Sequence, residues 1–369
     1  MIFDWRQLVE HVAKTRQRVR LVTSYAEISE WLRHNVGTHE ADSPIDVLIL
    51  SDEAALAKWM GRVPDWTHQA ETALNLAAMA HRSLQGQDGS FIGLGMAGPF
   101  AQAAPAALHI ATQTAVETRL YSFESVASHA DEAHFHESAL QRSLHAVSEA
   151  TGFAALFDGV DTGHRKSVER AHPLIAEVWL GRAPIVWASP NGSIGHSQPC
   201  QPGGVLSGAF NPLHDGHLRL HAAAEQFLQA PVCFELPIFN ADKPPLDYLS
   251  IAARCGQFKE HPVALTGAAT FVEKVEIFPD STFVVGVDTV ERVVDPRFYG
   301  GSLDRMLDAF RRIDDAGCRF LVAGRKVGDE FVTLGHVGLP QGTASLFVEL
   351  PEQAFRADAS STEIRRDRR

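Results

Sequence analysis

Apolar positions along the chain change their spacing repeatedly, and each change marks an element. Residues 18–24 (RVRLVTS) and 45–51 (IDVLILS) read as strands, with a helix at 26–34 between them. Asp52 is expected to cap a helix running to residue 59. Residues 67–84 are rich in Ala and Leu at helical spacing and hold no Pro or Gly. Strand candidates follow at 90–96, 107–114 and 117–125, then a long helix at 127–150. Residues 168–180 read as a helix and 184–188 (PIVWA) as a strand. After a stretch dense in Pro, Gly, Ser and Asn (189–204, SPNGSIGHSQPCQPGG), the alternation restarts. Strands are expected at 204–207, 232–239, 282–287, 319–323 and 345–350. Helices are expected at 217–228, 249–258, 303–316 and from 362 onward. No internal repeat interrupts the pattern.

Alternation of this kind predicts an α/β protein whose sheets carry helices on both faces. With 369 residues the chain has the length of two domains. The expected division is 1–188, with a helix-strand extension from about 152, then a linker at 189–203, then 204–369. In a mostly parallel sheet, ligands sit beyond the carboxyl ends of the strands, where the strand order reverses.

Composition narrows the chemistry. Hydrophobic residues make up 45% and charged residues 21%, which excludes a disordered or collagen-like chain. Asp and Glu total 45 against 33 Lys and Arg, a formal charge of −12. That balance argues against nucleic acid as a partner, so any phosphate site must come from local geometry. No apolar run is long enough for a membrane helix, and MIFDWRQLVE lacks a signal pattern, so no membrane partner is expected and the cytosol is the expected compartment. Cys200, Cys233, Cys255 and Cys318 form no C-x-x-C pair, which gives neither a zinc ribbon nor a redox motif and suits a reducing compartment. His129, His134 and His136 do not share a helix face, so no metal site is expected there.

The most informative stretch is 204–220, GVLSGAFNPLHDGHLRL. A short apolar strand enters a Gly/Asn/Pro loop, and a helix starts near His217. Free N–H groups and the positive end of the dipole at such a helix start receive anions. Gly208 and Gly216 allow close backbone approach. His214 and His217, three apart, can aim two imidazoles at one phosphoryl group.

Gly208 to His217, G-x-F-N-P-x-H-x-G-H, resembles the signature of the HxGH nucleotidylyltransferases. The resemblance implies a Rossmann-like, doubly wound parallel sheet in the C-terminal half. It implies catalytic roles for His214 and His217. A nucleoside triphosphate would lie over Ser207, Gly208, Ala209, Phe210, Asn211 and Gly216, accompanied by Mg²⁺. An acceptor phosphate would attack the α-phosphorus and pyrophosphate would leave, with no covalent enzyme intermediate. ASSTEIR at 359–365 is similar to the family's I-S-S-T-x-I-R motif, which implies that Ser360, Ser361, Thr362 and Arg365 hold the β- and γ-phosphates. Gly286-Val287-Asp288 resembles the G-x-D segment of nicotinamide and nicotinate mononucleotide adenylyltransferases, and FLVAGR, ending in Arg325, resembles their later strand. Lys243, in NADKPP, matches a basic residue near substrate phosphate. The SST-x-IR form resembles the adenylyltransferases and not the cytidylyltransferases, so ATP is favoured over CTP, with a pyridine mononucleotide as acceptor. A CTP-dependent transfer to an alcohol phosphate and an inactive nucleotide sensor are the alternatives.

In the N-terminal half, Gly93, Gly95 and Gly98 match G-x-G-x-x-G, but the helix that a dinucleotide fingerprint requires does not follow. GMAGP at 95–99 is instead similar to the G-x-A-G-P segment of the CinA C-terminal domain family, which includes nicotinamide-nucleotide amidases. The resemblance implies an α/β domain, a homo-oligomer and a nucleophile loop after the first strand. That place reads VTSYAE, with Ser24 where the nucleophile would stand and neither of the loop's two glycines, which implies a degenerate member.

Overall fold

The computed structural model describes residues 5–23, 45–49, 53–60, 69–84, 90–97, 108–123, 145–152, 164–199, 202–327 and 330–356. The protein is of the α/β class and divides into two compact units. The first comprises 1–176 and 242–251, the second 177–241 and 252–369.

The first unit holds α1 (Trp5–Lys14) and a six-stranded sheet. Its strands are β1 (Gln17–Thr23), β2 (Ile45–Ile49), β3 (Ser90–Ala97), β4 (Leu108–Gln113), β5 (Glu117–Phe123) and β6 (His164–Arg170), in the order β2-β1-β3-β4-β5-β6. The first three are parallel and the rest antiparallel. Two helices, α2 (Glu53–Met60) and α3 (Gln69–Ser83), fall where the apolar spacing places them. Gly93 and Gly95 explain how α3 lies so close to β3. A Cβ at Gly93 would stand 2.1 Å from the Ala77 carbonyl oxygen, and one at Gly95 would stand 2.3 Å from that of Ala73.

One element differs in kind from its expectation. Residues 168–170 belong to β6, and the helix α4 (Pro173–Trp179) starts only after them. Pro173 sits at the first helical position, where its missing N–H costs nothing, and His172 Nδ1 accepts from Leu174 N at 3.3 Å. β6 (HRKSVER) is a charged edge strand, held by pairing along its whole length with β5. Such a strand has no apolar face to announce it, and its charges guard the open edge.

The second unit is built on an eight-stranded sheet. Its strands are β7 (Ile185–Ala188), β8 (Ile194–Gly195), β9 (Gly204–Ser207), β10 (Val232–Pro237), β11 (Val263–Thr266), β12 (Thr282–Gly286), β13 (Arg319–Ala323) and β16 (Phe347–Leu350), with β14 (Arg325–Val327) and β15 (Glu330–Val332) forming a separate hairpin. The order is β16-β13-β12-β9-β10-β11-β7-β8. All neighbours from β16 to β11 are parallel, and β7 and β8 are antiparallel additions. From β9 the chain steps outward through β10 and β11, then returns to the other side of β9 with β12. The strand order therefore reverses between β9 and β12.

Two expectations are corrected here. Residues 189–203 are not a plain linker, because β8 lies within them and pairs with β7, which pairs with β11 through Val186 opposite Leu265. The sheet of the second unit thus begins before residue 204. β11 had no counterpart among the expected strands, since four residues (VALT) buried on both faces carry no period to read.

The helices of this unit are α5 (Asp215–Leu228), α6 (Tyr248–Cys255, shared between the units), α7 (Phe271–Lys274), α8 (Val287–Val293) and α9 (Leu303–Asp315). Phe283, Phe320, Phe310 and Phe347 centre the core on one face of the sheet. Among the described residues no helix is long and apolar enough to cross a membrane.

Candidate active site

β9 is buried until Ser207, its last residue, and delivers the chain to the point where the strand order reverses. The loop that follows is anchored at its start by Gly208 N, which donates to Glu235 O of β10 at 3.0 Å. Gly208 has no room for a side chain, because a Cβ would lie 2.8 Å from the Phe210 ring. Phe210 adopts a positive φ of 43°, which bulky residues rarely accept. Its ring repays that conformation by complete burial, edge-to-face with Phe234, Phe258 and His217 at 5.5, 5.2 and 5.1 Å.

The two histidines cap the helix reciprocally. His214 is the N-cap of α5, and its Nδ1 accepts from Gly216 N at 3.1 Å. His217, three residues on, accepts from His214 N through its own Nδ1 at 3.3 Å. The rings stack with centroids 3.8 Å apart. A backbone N–H can only donate, so both Nδ1 atoms are acceptors and each neutral ring carries its proton on Nε2. Burial lowers the His217 pKa to about 4, with the His214 charge adding to the effect. Burial also lowers that of His214, partly offset by Asp215. Both imidazoles are therefore neutral Nε2–H donors at neutral pH.

This changes one detail of the sequence expectation. The helix was expected to start around His217 with its N–H groups open, but it starts at Asp215, and the Gly216 N–H is taken by His214. The Asp215 N–H donates to no described residue, and the other such donors lie in the loop. The N–H groups of Ala209, Phe210 and Asn211 donate to no described residue.

Five residues that no motif singled out shape this loop and its support. Arg254 Nη1 donates to Ala209 O at 3.0 Å. Gln257 Nε2 donates to Phe210 O at 2.9 Å, and its Oε1 accepts from Leu213 N at 2.8 Å. Beneath the loop, Lys274 Nζ donates to Ser207 Oγ at 2.5 Å and to Glu235 Oε2 at 2.7 Å, and Thr266 Oγ1 donates to Glu235 Oε1. Glu235 and Lys274 are buried, and a buried ion pair persists only when its remaining polar atoms are bonded, as here. Short strands and a helix end supply these side chains, so only tertiary contact reveals them.

The other expected residues are distributed unevenly. Asp288 and Arg325 follow β12 and β13 and pair at 3.5 Å. Asp288 Oδ1 folds back to within 2.7 Å of where a Gly286 Cβ would stand. Arg325 opens β14 and does not close β13, since Gly324 intervenes. Lys243 is exposed, in the 242–251 segment that groups with the first unit. Asn211 and Gly216 lie half-buried on either side of the histidine cap's start. Ser24, Ser360, Ser361, Thr362 and Arg365 lie outside the described residues, as do His129, His134 and His136. Among the described residues no group of three or more His, Cys, Asp or Glu side chains could hold a metal ion.

A loop of this construction can receive an anion. Backbone N–H groups with no described acceptor and two neutral imidazoles lie within one loop and helix start at the carboxyl end of a parallel strand, beside the reversal point. In comparisons with protein-family models and with curated proteins, nothing matches the chain.

Proposed function

We propose that the second unit is a nucleotidylyltransferase, a Rossmann-like doubly wound domain that transfers adenylyl from ATP to a nicotinate or nicotinamide mononucleotide-like phosphate. Numbered from β9, the parallel strands run 3-2-1-4-5-6, the order typical of dinucleotide-binding sheets, and this supports the reading. The observation that carries it is the reciprocal cap, which holds two Nε2–H donors at the start of α5.

In this reading an oxygen of the acceptor phosphate attacks the α-phosphorus of ATP. The new P–O bond forms as the bond to the bridging α–β oxygen breaks, and pyrophosphate leaves. His214 and His217 donate to phosphoryl oxygens whose charge grows in the transition state, without surrendering a proton. Mg²⁺ would accompany the triphosphate as part of the substrate and would offset its charge.

The length of chain supports a role for Ser360, Ser361, Thr362 and Arg365 on the same triphosphate. Arg219, two residues beyond His217, donates to Arg356 O at 3.1 Å. Ser360 follows Arg356 by four residues, a span of at most about 14 Å. Asp288 and Arg325, after the neighbouring strands, would face the acceptor side. The first unit is read as a degenerate CinA-like domain, in keeping with the missing glycines near Ser24.

The test is pyrophosphate release with Mg²⁺, ATP or CTP, and a panel of acceptors: the two pyridine mononucleotides, phosphopantetheine, glycerol 3-phosphate and phosphocholine. Release with ATP and a pyridine mononucleotide alone is the expected result. Release only with CTP would move the assignment to a cytidylyltransferase, and ATP binding without release to a sensor. His217→Ala should lower turnover by about a hundredfold, the scale for removing one transition-state donor. A near-normal rate would remove His217 from the mechanism.

A further inference from the structure

Phe210 O and Leu213 N occupy the first and fourth positions of the turn around Asn211-Pro212, the pair that closes a β-turn by a direct hydrogen bond. The Gln257 carboxamide bridges the two groups, donating to Phe210 O at 2.9 Å and accepting from Leu213 N at 2.8 Å. Both of its polar atoms are thus engaged by the two ends of one turn.

The direction of the neighbouring peptides follows. In a planar trans peptide the C=O and the next N–H point opposite ways. Ala209 O is turned toward Arg254 and Phe210 O toward Gln257, at 3.0 and 2.9 Å. The N–H groups of Phe210 and Asn211 therefore both face away from that side. Two successive N–H groups presented together form an anion-binding concavity. The same amide, through Leu213 N, fixes the residue immediately before the His214 cap.

We propose that Gln257 is a positioning residue for phosphate recognition, setting the Phe210 and Asn211 N–H groups in register with the His214–His217 cap, with Arg254 as its helper. This rests on reading the loop as the triphosphate site. Without Gln257, Phe210 O and Leu213 N lose their bridge and the two N–H groups are no longer held in register. Gln257 is only half-buried and sits just past α6, so its replacement leaves the sheet core untouched.

The experiment compares wild type with Gln257→Met, which keeps the shape and loses both bonds, and Gln257→Glu, which keeps the acceptor for Leu213 N alone. Pyrophosphate release is measured against both substrates, alongside thermal melting and amide hydrogen exchange over 209–218. Gln257→Met should lower kcat/KM for the triphosphate about tenfold, with less than about a twofold change in KM for the acceptor. Gln257→Glu should fall in the same direction, because Phe210 O then faces another acceptor. Exchange at Leu213 and His214 should rise while the melting temperature stays near that of wild type. Unchanged exchange, or unchanged kinetics despite faster exchange, overturns the inference. An equal loss toward both substrates together with a lower melting temperature also overturns it, since that pattern is a stability effect. The functional reading fails separately: wild type then releases no pyrophosphate with any pair. In that event, slowing of loop exchange by inorganic triphosphate in wild type but not in Gln257→Met upholds the positioning role, and equal slowing refutes it.

Discussion

His217 shows how a single side chain acquires its chemistry from its surroundings. Its ordinary pKa of 6.5 would leave it partly charged near neutrality, and burial brings it to about 4. The native state thus holds it neutral while the unfolded chain protonates it first. Its contribution to stability is fully present above pH 6.5 and is lost as the pH falls from 6.5 toward 4. His81, on α3 in the first unit, is lowered to about 4 by burial and by Arg82, and it acts in the same window. The urea midpoint is expected to drop across that range, and His217→Gln should make the drop shallower. The histidines should add no inflection near 6.5 to the pH–rate profile beyond that of the acceptor phosphate, because the Nε2–H donors are already in their working form. An inflection there that is lost in His217→Gln would mean that a charged imidazole takes part.

At the scale of elements, the contact of α3 on β3 depends on the absence of two side chains. Read as letters, Gly93 and Gly95 suggest a phosphate loop. In the structure they lie within β3, where each missing Cβ admits backbone atoms of Ala73 and Ala77. Backbone cannot move aside as a flexible side chain can. Gly95→Ala is therefore expected to destabilise the protein by about 1–3 kcal/mol or more, measured by urea unfolding. A cofactor role would instead give lost binding at near-normal stability. The reversed reading of 168–170 has a similar origin: an edge strand of charged residues takes its conformation from β5, not from its own pattern.

For the molecule as a whole, the ordering of strands matters more than their number. Placing β12 beside β9 creates the reversal at which the loop of His214 and His217 emerges. Adding β7 to β11 moves the start of the second unit's sheet ahead of residue 204. Val186, fully buried on β7, tests that placement. Val186→Asp should cost about 3 kcal/mol or more by burying an unpaired charge, and soluble yield and melting temperature should both fall. Ser197→Asp, on the exposed stretch between β8 and β9, should leave both unchanged. Equal behaviour of the two variants would remove β7 from the sheet of the second unit.

The sequence by itself determined the α/β alternation, most of the longer strands and helices, and the HxGH loop with its two histidines. These are local quantities: apolar period, turn residues and spacing persist in any conformation and can be read directly. Only the tertiary structure decided where β7, β8 and β11 belong, because pairing partners far apart in sequence select such short or charged strands. It alone decided that the histidines cap each other and remain neutral, since burial sets that state. It alone brought Arg254, Gln257 and Lys274 to the loop: each lies more than 40 residues from the atoms it bonds there, and no local pattern encodes a contact made across such a distance.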